Sequence, residues 1–450
     1  MQNENGVMRN RYLNRRGFLR AGLAAAGMVP LPSLCLSAKP RSRKPNIILI
    51  MADDVGYECF GCYGSRQYKT PRIDQMASGG VRFTNCHSTP LCTPSRVKIM
   101  TGLDNVRNYY NFGTFPKGQT TFADVLKAGG YQTAFVGKWQ LELVSGLFPK
   151  DVGFDNVCRL IGEWPKYWNT PIALNGKVLP VEKNTYGPDR FTAFVTDFIK
   201  KHKSGDKPFL LYFPMTLVHS PFEPTPRSKN RKSRKWQSNF EDMVAYMDTC
   251  VGRILDALKE AELSDNTFVL FTGDNGTNAS LHSTLNGRTI RGGKGHTRDH
   301  GTHVPLIVTG PGSPAGKVCD DLIDFSDFLP TLADIAGADL PKGVKLDGRT
   351  FRPQCRGGKG RPRQWLFNYY FPRPYVKKYD KKYRHSEIRW VRDKEYKLYG
   401  DGRFYNVRKD VLEEKPLSPV DAPAIRRALQ KVLDTMPGRG ASIDYNKTHM

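Results

Sequence analysis

The sequence predicts an α/β protein: a large, mostly parallel sheet covered by helices on both faces, with a smaller C-terminal α+β part built on an antiparallel sheet. Three observations predict it. Short apolar runs recur along the chain, beginning with Asn46-Ile47-Ile48-Leu49-Ile50-Met51, and a run without polar alternation suits a strand buried on both faces. Segments of helical period separate these runs, and strands alternating with helices imply a parallel sheet sandwiched between helices. Near residue 340 the pattern changes to short aromatic and β-branched stretches with polar turns between them, which read as antiparallel strands.

The first strand ends at Asp53-Asp54. Thr70-Pro71 starts a helix, with Thr as N-cap and Pro at the first helical position. Thr121 to Lys127 reads as helix and Gln132 to Val136 as strand. Phe191 to Lys201 and Phe209 to Phe213 repeat that pair, as do a long helix, Phe240 to Ala261, and the strand Thr267 to Thr272. Val304 to Val308 is a further strand. Trp365 to Tyr370, Ile388 to Leu398 and Arg403 to Val407 supply the antiparallel stretches, and a helix follows around Pro423 to Thr435. The expected organisation is a large domain over 45–340 and a subdomain over 341–450. Ligands of such sheets bind beyond the carboxyl ends of the strands. Asp53-Asp54 and Asp274-Asn275 each follow a strand directly, so both pairs should face one crevice.

At 39% hydrophobic and 25% charged residues, the composition is that of an ordinary globular protein, and 450 residues suffice to bury a large core. The formal net charge is +26. Nine basic residues and one acid fall within the first 44 residues, which leaves +18 on the remainder. Such a surplus attracts polyanions. Nucleic acid and sulfated glycan are both candidates, and the absence of a nucleic-acid recognition signature argues against the first. Nine scattered cysteines make no disulfide framework. Cys59 and Cys62 form an isolated C-x-x-C that reads as buried thiols or loop residues. At the N-terminus, Asn14-Arg15-Arg16-Gly17-Phe18-Leu19-Arg20 precedes a small-residue apolar run and a small residue at Ala38. This is the pattern of a twin-arginine export signal over 1–40, which places the protein in the periplasm or outside the cell. The apolar run is too short and interrupted for a membrane span, which needs about 20 residues, so no stable membrane insertion is expected.

The most specific motif is Cys92-Thr93-Pro94-Ser95-Arg96, continuing to Thr101-Gly102. It resembles the signature of the sulfatase family, C-x-P-S-R with a downstream T-G. The resemblance extends from Pro45 to about Asn406. It takes in Ala52-Asp53-Asp54, Thr70-Pro71-Arg72-Ile73-Asp74, Gly137-Lys138-Trp139, His219-Ser220-Pro221, Gly273-Asp274-Asn275-Gly276 and Gly293-Lys294-Gly295. It implies that a formylglycine-generating enzyme oxidises Cys92 to formylglycine and that the chain hydrolyses sulfate esters. A sulfated carbohydrate is the expected substrate, because the basic excess and the export signal both suit one.

The residue types suit that chemistry. Cleavage of a sulfate ester passes through a loose, charge-spread transition state, like phosphoryl transfer, so it needs positive charge around the sulfuryl oxygens. Asp53, Asp54, Asp274 and Asn275 offer oxygen donors that suit a hard cation, Ca²⁺ or Mg²⁺. No thiolate or imidazole is required, so zinc is disfavoured; the family precedent is Ca²⁺. Lys138 and Lys294 can hold the sulfate. Arg96 resembles the family arginine that steadies formylglycine and the metal-site carboxylates. Pro94 at a helix start would place residue 92 near a helix N-terminus, where anions are favoured. The resemblance implies attack on sulfur by a hydroxyl of hydrated formylglycine, with His219 as acid for the leaving alcohol and Lys294 as a second candidate.

Two stretches depart from the family pattern. Where G-K-W-H-L-G is usual, the chain reads Gly137-Lys138-Trp139-Gln140-Leu141-Glu142. The family histidine helps remove the second hydroxyl proton; Gln140 can hydrogen-bond but cannot act as a base. Glu142 or another group would have to substitute, or the chain is a slow enzyme or a non-catalytic binder of sulfated polymers. Where E-G-G-x-R-V-P is usual, it reads Asp299-His300-Gly301-Thr302-His303-Val304-Pro305. The nearby His296, His300 and His303 read as a polar loop rather than a metal site. A phosphatase or phosphodiesterase on the same scaffold is a rival reading, but it would put Ser or Thr where Cys92 stands and would use two zinc ions. Arg227 to Lys235 is a run of basic residues that reads first as a solvated surface loop.

Overall fold

Asn46–Ala52 forms β1, buried along its whole length. Its side chains alternate between two apolar layers: Ile48, Ile50 and Ala52 enter one, Ile47, Leu49 and Met51 the other. Both faces are therefore core, and each fully buried Ile or Leu contributes roughly 1.5–3 kcal/mol. The computed structural model describes residues 43–162, 166–371 and 387–437; the expected export signal over 1–40 lies outside them. The described chain from Arg43 onward belongs to one compact unit. The limits 45–340 and 341–450 remain our proposed division within it.

The other strands are β2 (Val81–His87), β3 (Gln132–Gly137), β4 (Asn156–Leu160), β5 (Ile172–Leu174), β6 (Lys177–Val178), β7 (Phe209–Pro214), β8 (Thr267–Gly273), β9 (His282–Leu285), β10 (Arg288–Arg291), β11 (His303–Thr309), β12 (Lys317–Asp324), β13 (Leu366–Tyr370), β14 (Ile388–Arg392), β15 (Tyr396–Tyr399) and β16 (Phe404–Asn406). Ten of them make the large sheet, in the order β12-β2-β11-β8-β1-β7-β3-β4-β5-β6. β1 pairs in parallel with both β7 and β8. β11 is antiparallel to both its neighbours, and β5 to both of its own. The sheet is thus mostly parallel, as expected. Strands β2, β4, β5, β6 and β12 were not anticipated: they are short, half-exposed or polar in sequence.

The helices are α1 (Pro71–Ser78), α2 (Cys92–Thr101), α3 (Asn105–Asn108), α4 (Phe122–Ala128), α5 (Gly187–Lys201), α6 (Trp236–Glu260), α7 (Asp299–Thr302), α8 (Phe328–Ala336), α9 (Arg352–Cys355) and α10 (Pro423–Thr435). α1, α5 and α6 pack on one face of the large sheet, and α2, α4 and α8 on the other. Thr121 caps α4: its hydroxyl accepts from the Ala123 and Asp124 amides, while Asp124 accepts from the Thr121 amide. Thr70 precedes α1 but its hydroxyl donates to Asp74 instead of capping the helix. The free amides of Arg72 and Ile73 go to the Asp248 carboxylate on α6, a partner 175 residues away that no local pattern could reveal.

β13 to β16 form the expected antiparallel sheet, with Ile388 to Leu398 split into two strands, β14 and β15. α10 covers one face through Leu429 and Leu433. The other face packs on Leu91, the residue before Cys92. α2 is the joint between the two sheets, and every one of its residues is buried. Its Lys98 ammonium lies 2.8 Å from Asp324 and 3.1 Å from Asp104, and also donates to the Phe367 carbonyl on β13. Breaking a buried ion pair from one side leaves an uncompensated charge. Lys98→Met should therefore lower unfolding stability by about 3 kcal/mol, read as a fall in the urea midpoint; an unchanged midpoint would mean that this cluster does not hold the two sheets together.

Candidate active site

β1 and β8 are adjacent and parallel, with Ala52 opposite Gly273, so the residues that follow them leave the sheet side by side. The Asp274 amide donates to the Ala52 carbonyl, and the Asp54 amide donates to Asp274 Oδ1 at 3.0 Å. Asp54 has φ +59, a left-handed conformation that Asp tolerates better than most residues. The loop after β7 zips onto the same point: Asp53 N–H donates to the Leu217 carbonyl and Val218 N–H to the Asp53 carbonyl, each at 2.8 Å. That places His219. The Tyr167 hydroxyl pins the loop by reaching the carbonyls of Thr216 and His219.

Lys138 leaves the end of β3 through Gly137, whose φ is +115. A Cβ there would lie 2.1 Å from the Pro214 carbonyl oxygen, so only glycine lets β3 pass the end of β7 this closely. Cys92 is the first residue of α2 and Arg96 lies one turn further along. Lys294 arrives on the loop after β10, held by its amide to the Thr277 carbonyl and by the Gly295 amide to the Pro90 carbonyl.

All the predicted site residues meet here. Asp53, Asp54, Asp274 and Asn275 are fully buried. Lys138 Nζ lies 2.6 Å from Asp53 Oδ2, Lys294 Nζ 2.5 Å from Asp54 Oδ2, and Arg96 Nη2 3.1 Å from Asp274 Oδ2. Arg96 also donates to the Lys138 carbonyl, and Asn275 Nδ2 to Asp54 Oδ1 at 2.9 Å. Burial alone would raise the Asp53 carboxyl, but Lys138, followed by His219, Arg96 and Lys294, holds it well below the usual carboxylate range. Burial and the neighbouring Asp53 charge push the Asp274 carboxyl up. Burial also pushes the Cys92 thiol up, against the opposing pull of Lys138 and Lys294.

Two oxygens of this pocket, Asp53 Oδ1 and Asn275 Oδ1, are buried without a hydrogen-bond partner. Such orphans are costly in a folded protein. Oxygens of Asp53 and Asp54 and a ring nitrogen of His219 lie within 4.8 Å of one another. An oxygen-rich, anionic pocket with unfilled lone pairs fits a hard divalent cation. His219 Nε2 is 3.0 Å from Lys294 Nζ and accepts its proton, while Nδ1 faces the Ser220 carbonyl. Burial lowers its pKa to about 4.

The departures from the family pattern have structural counterparts. Gln140 sits at φ +58, with its Oε1 buried and without a partner. Glu142 is committed elsewhere: it accepts from the Leu141 amide and faces Arg159 at 3.7 Å, which counts against it as a substitute base. His303 lies 3.0 Å from Asp299 and 2.8 Å from the Thr84 carbonyl, one ring nitrogen to each. Asp299 is also paired with Arg392. Within the group His87, Asp299 and His303, two members thus already have partners from the protein itself: Arg392 and His303 for Asp299, and Asp299 and the Thr84 carbonyl for the His303 ring. Cys59 is a buried thiol beside Thr277 and Ser283, and Cys62 is half-buried, in keeping with the plain reading of that C-x-x-C. Sequence reasoning missed Tyr167, Arg392 and the bracing of the Lys294 loop by Tyr370, whose hydroxyl donates to the Gly295 carbonyl. Isolated tyrosines and arginines carry no motif that could have marked them.

The family model for sulfatases matches residues 45–338. Human arylsulfatase A is 34% identical over 364 residues, covering 73% of this chain and 71% of that protein. The N-acetylgalactosamine-6-sulfatase of Canis lupus familiaris is 30% identical over 377 residues, covering 75% and 69%. Among solved structures, Ps i-CgsB in complex with k-i-k-neocarrahexaose matches with a TM-score of 0.74 at 25% identity, covering 87% of this chain and 92% of that one. The phosphonate monoester hydrolase of Agrobacterium radiobacter shares the fold, with a TM-score of 0.67 at 24% identity over 86% and 94%. With the family model spanning most of the chain and these relatives matching most of its length, the protein belongs to the sulfatase family and is an enzyme that hydrolyses sulfate esters.

Proposed function

We propose that this enzyme removes sulfate from a sulfated carbohydrate, using a formylglycine made from Cys92 and a divalent cation, Ca²⁺ in preference to Mg²⁺, held by Asp53, Asp54, Asp274 and Asn275. The observation that carries the reading is the placing of Cys92 at the first position of a buried helix, within the fields of Lys138 and Lys294 and beside a carboxylate pocket with two unpartnered oxygens. The relatives favour a sugar substrate: one is named for N-acetylgalactosamine 6-sulfate, and another was solved with a neocarrahexaose. Export through the signal over 1–40 and maturation by a formylglycine-generating enzyme belong to the same proposal. Among the described residues no helix is long and apolar enough to cross a membrane.

Formylglycine at position 92 supplies the nucleophile as its hydrate, and the cation neutralises charge on the sulfuryl group. The rest falls to the chain's own residues. Arg96 ties α2 to Asp274 and to the Lys138 carbonyl, which fixes residue 92 over the pocket. The amides at the start of α2 favour an anion there. Lys138 and Lys294 bring ammonium groups to the sulfuryl oxygens, where preorganised charge lowers the barrier without reorganisation. Lys294 Nζ lies 3.0 Å from His219 Nε2; the proton is held on Lys294, because despite burial its Asp54 partner keeps the ammonium charged, while burial keeps His219 neutral, and it can pass to the departing alkoxide directly or through the imidazole. Gln140 cannot take the proton that the family histidine would remove.

Experiments at residue 92, at the cation site and at Gln140 test this reading. The tryptic peptide 83–96 from protein matured in its host should carry formylglycine at residue 92, and Cys92→Ala should cut sulfate ester hydrolysis by at least about a thousandfold; an unmodified cysteine where a control sulfatase is converted would favour a non-catalytic binder of sulfated polymers. Chelation should abolish activity, with Ca²⁺ restoring it better than Mg²⁺ or Zn²⁺. Saturating Ca²⁺ should raise Tm by about 3 °C or more, and Asp53→Asn should erase that shift. A Tm that ignores Ca²⁺ in the wild type would remove the cation from the proposal. Gln140→His should raise kcat by about tenfold or more if proton removal limits sulfate release; the left-handed backbone at 140 accepts histidine readily. An unchanged kcat would assign that proton to another group.

A further inference from the structure

The end of the large sheet that holds the site carries a second feature. α5 leads into β7 and α6 into β8, both parallel to β1, so both helices begin at the end of the sheet where the site lies. The loop before α6, 227–235, holds six basic side chains and no acid: Arg227, Lys229, Arg231, Lys232, Arg234 and Lys235. All six are exposed. The Arg231 guanidinium lies over the Trp168 indole, 4.2 Å from its centre, and both line a cleft of about 490 Å³ with Tyr186, Arg190 and Pro226. Trp236, the first residue of α6, is 55% exposed, an unusual place for the largest apolar side chain in solvent.

Named contacts join this surface to the site. Trp168 Nε1 donates to the Pro224 carbonyl, and its neighbour Tyr167 holds the His219 carbonyl. Trp236 packs edge-on against Phe222, three residues past His219, with centroids 5.5 Å apart. On the other flank, Gln237 accepts from the His282 amide of the β9–β10 hairpin, which carries the exposed Arg288 and Arg291 and runs on directly to Lys294. Glu182 pairs with Arg190, Asp189 pairs with Arg253 and Tyr246, and Glu241 on α6 accepts from Gln67 and Gln237. Glu223 is half-buried and near Lys166, itself exposed.

We infer that this strip, formed by Trp168 with Arg231, by Trp236 and by the 227–235 loop, is a subsite for the extended chain of a sulfated polysaccharide, beyond the sugar that enters the catalytic pocket. It rests on the proposed carbohydrate substrate and adds that the substrate is polymeric and is gripped outside the pocket. The exposed Trp236 indole can receive the apolar face of a sugar ring, the Arg231 guanidinium fork, held over Trp168, matches a sulfate's oxygens, and the lysines add point charge along a repeating anion. A solvated basic loop alone would need neither an arginine laid on a tryptophan nor an exposed tryptophan beside it.

The test compares the matured wild type with three surface variants: Trp236→Ala; Arg231→Lys, which keeps the charge and loses the planar stacking; and Lys229→Ser combined with Lys232→Ser and Lys235→Ser. Each is assayed on a small aryl sulfate, on a sulfated polysaccharide, and for binding to immobilised sulfated polysaccharide and to single-stranded DNA. The expected result is a rise of about tenfold in KM for the polymer, with kcat/KM on the aryl sulfate unchanged. Trp236→Ala and Arg231→Lys should weaken polysaccharide binding more than DNA binding. Equal polymer KM in all the variants would overturn the inference. So would equal loss of glycan and DNA binding confined to the lysine variant, which would reduce the strip to unspecific charge. A wild type that hydrolyses neither substrate would instead sink the proposed catalytic reading, and the binding comparison would still decide the subsite.

Discussion

The molecule is organised around three carboxylates that cannot stay buried alone. Asp53, Asp54 and Asp274 lie at the ends of two adjacent central strands with no solvent exposure. Removing such charges from water costs several kcal/mol each unless counter-charges arrive in good geometry. The counter-charges come from three separate segments: Arg96 from α2, Lys138 from the end of β3, and Lys294 from the loop after β10. Each ion pair therefore also ties one segment to the sheet. Three basic groups thus face three carboxyl groups, and the two unpartnered oxygens mark where a divalent ion would add positive charge. A positive pocket is what a sulfate monoanion requires, so the same electrostatic condition that permits the fold also prepares the site.

α2 extends this constraint to the C-terminal sheet. Arg96 faces the carboxylates, whereas Lys98, two residues on, points the other way into Asp324, Asp104 and the β13 backbone. Leu91 packs with Tyr370, Trp390 and Tyr399 on the opposite side of that sheet from α10. Tyr370 then reaches the Gly295 carbonyl, next to Lys294. Lys397 and Tyr399, both joined to Glu413, reach Thr297 on the same loop. The C-terminal sheet thus backs both residue 92 and Lys294. Among its described residues none reaches the carboxylate pocket, yet the sheet sets the position of two residues of the candidate site.

How far the sequence discloses this structure depends on the range of each interaction. β1, β7 and β8 were legible because burial on both faces leaves an uninterrupted apolar run. The acidic pairs were legible because they follow such runs without a gap, and parallel pairing then brings them together. Cys92 and Arg96 were legible through a motif. Edge strands such as β12, with an exposed and acidic sequence, give no periodic signal. Thr70 illustrates a local rule overridden from afar: the position suits an N-cap, but Asp248 already satisfies the helix amides. Tyr167 and Tyr370 were invisible because their roles consist of hydrogen bonds to backbone atoms 49 and 75 residues away.

The two departures from the family pattern differ in consequence for the same reason. The family arginine before V-P is His303 here, and the acid at the start of that stretch is Asp299. In the folded chain His303 offers a nitrogen to Asp299, stacks on Tyr57 with centroids 3.9 Å apart, and leaves the guanidinium role to Arg392 from β14. Burial would raise the Asp299 carboxyl, but Arg392 and then His303 hold it well below its ordinary range. A lost charge has been replaced by one from a distant strand, so this network stays complete. Gln140 is a different case, because what it lacks is a proton acceptor rather than a charge. A charge acts over several ångströms and can be supplied from another element, whereas a base must touch the proton it removes. The arginine-to-histidine change is therefore met by a charge from another element, whereas the proposed cost of the histidine-to-glutamine change falls on proton transfer itself.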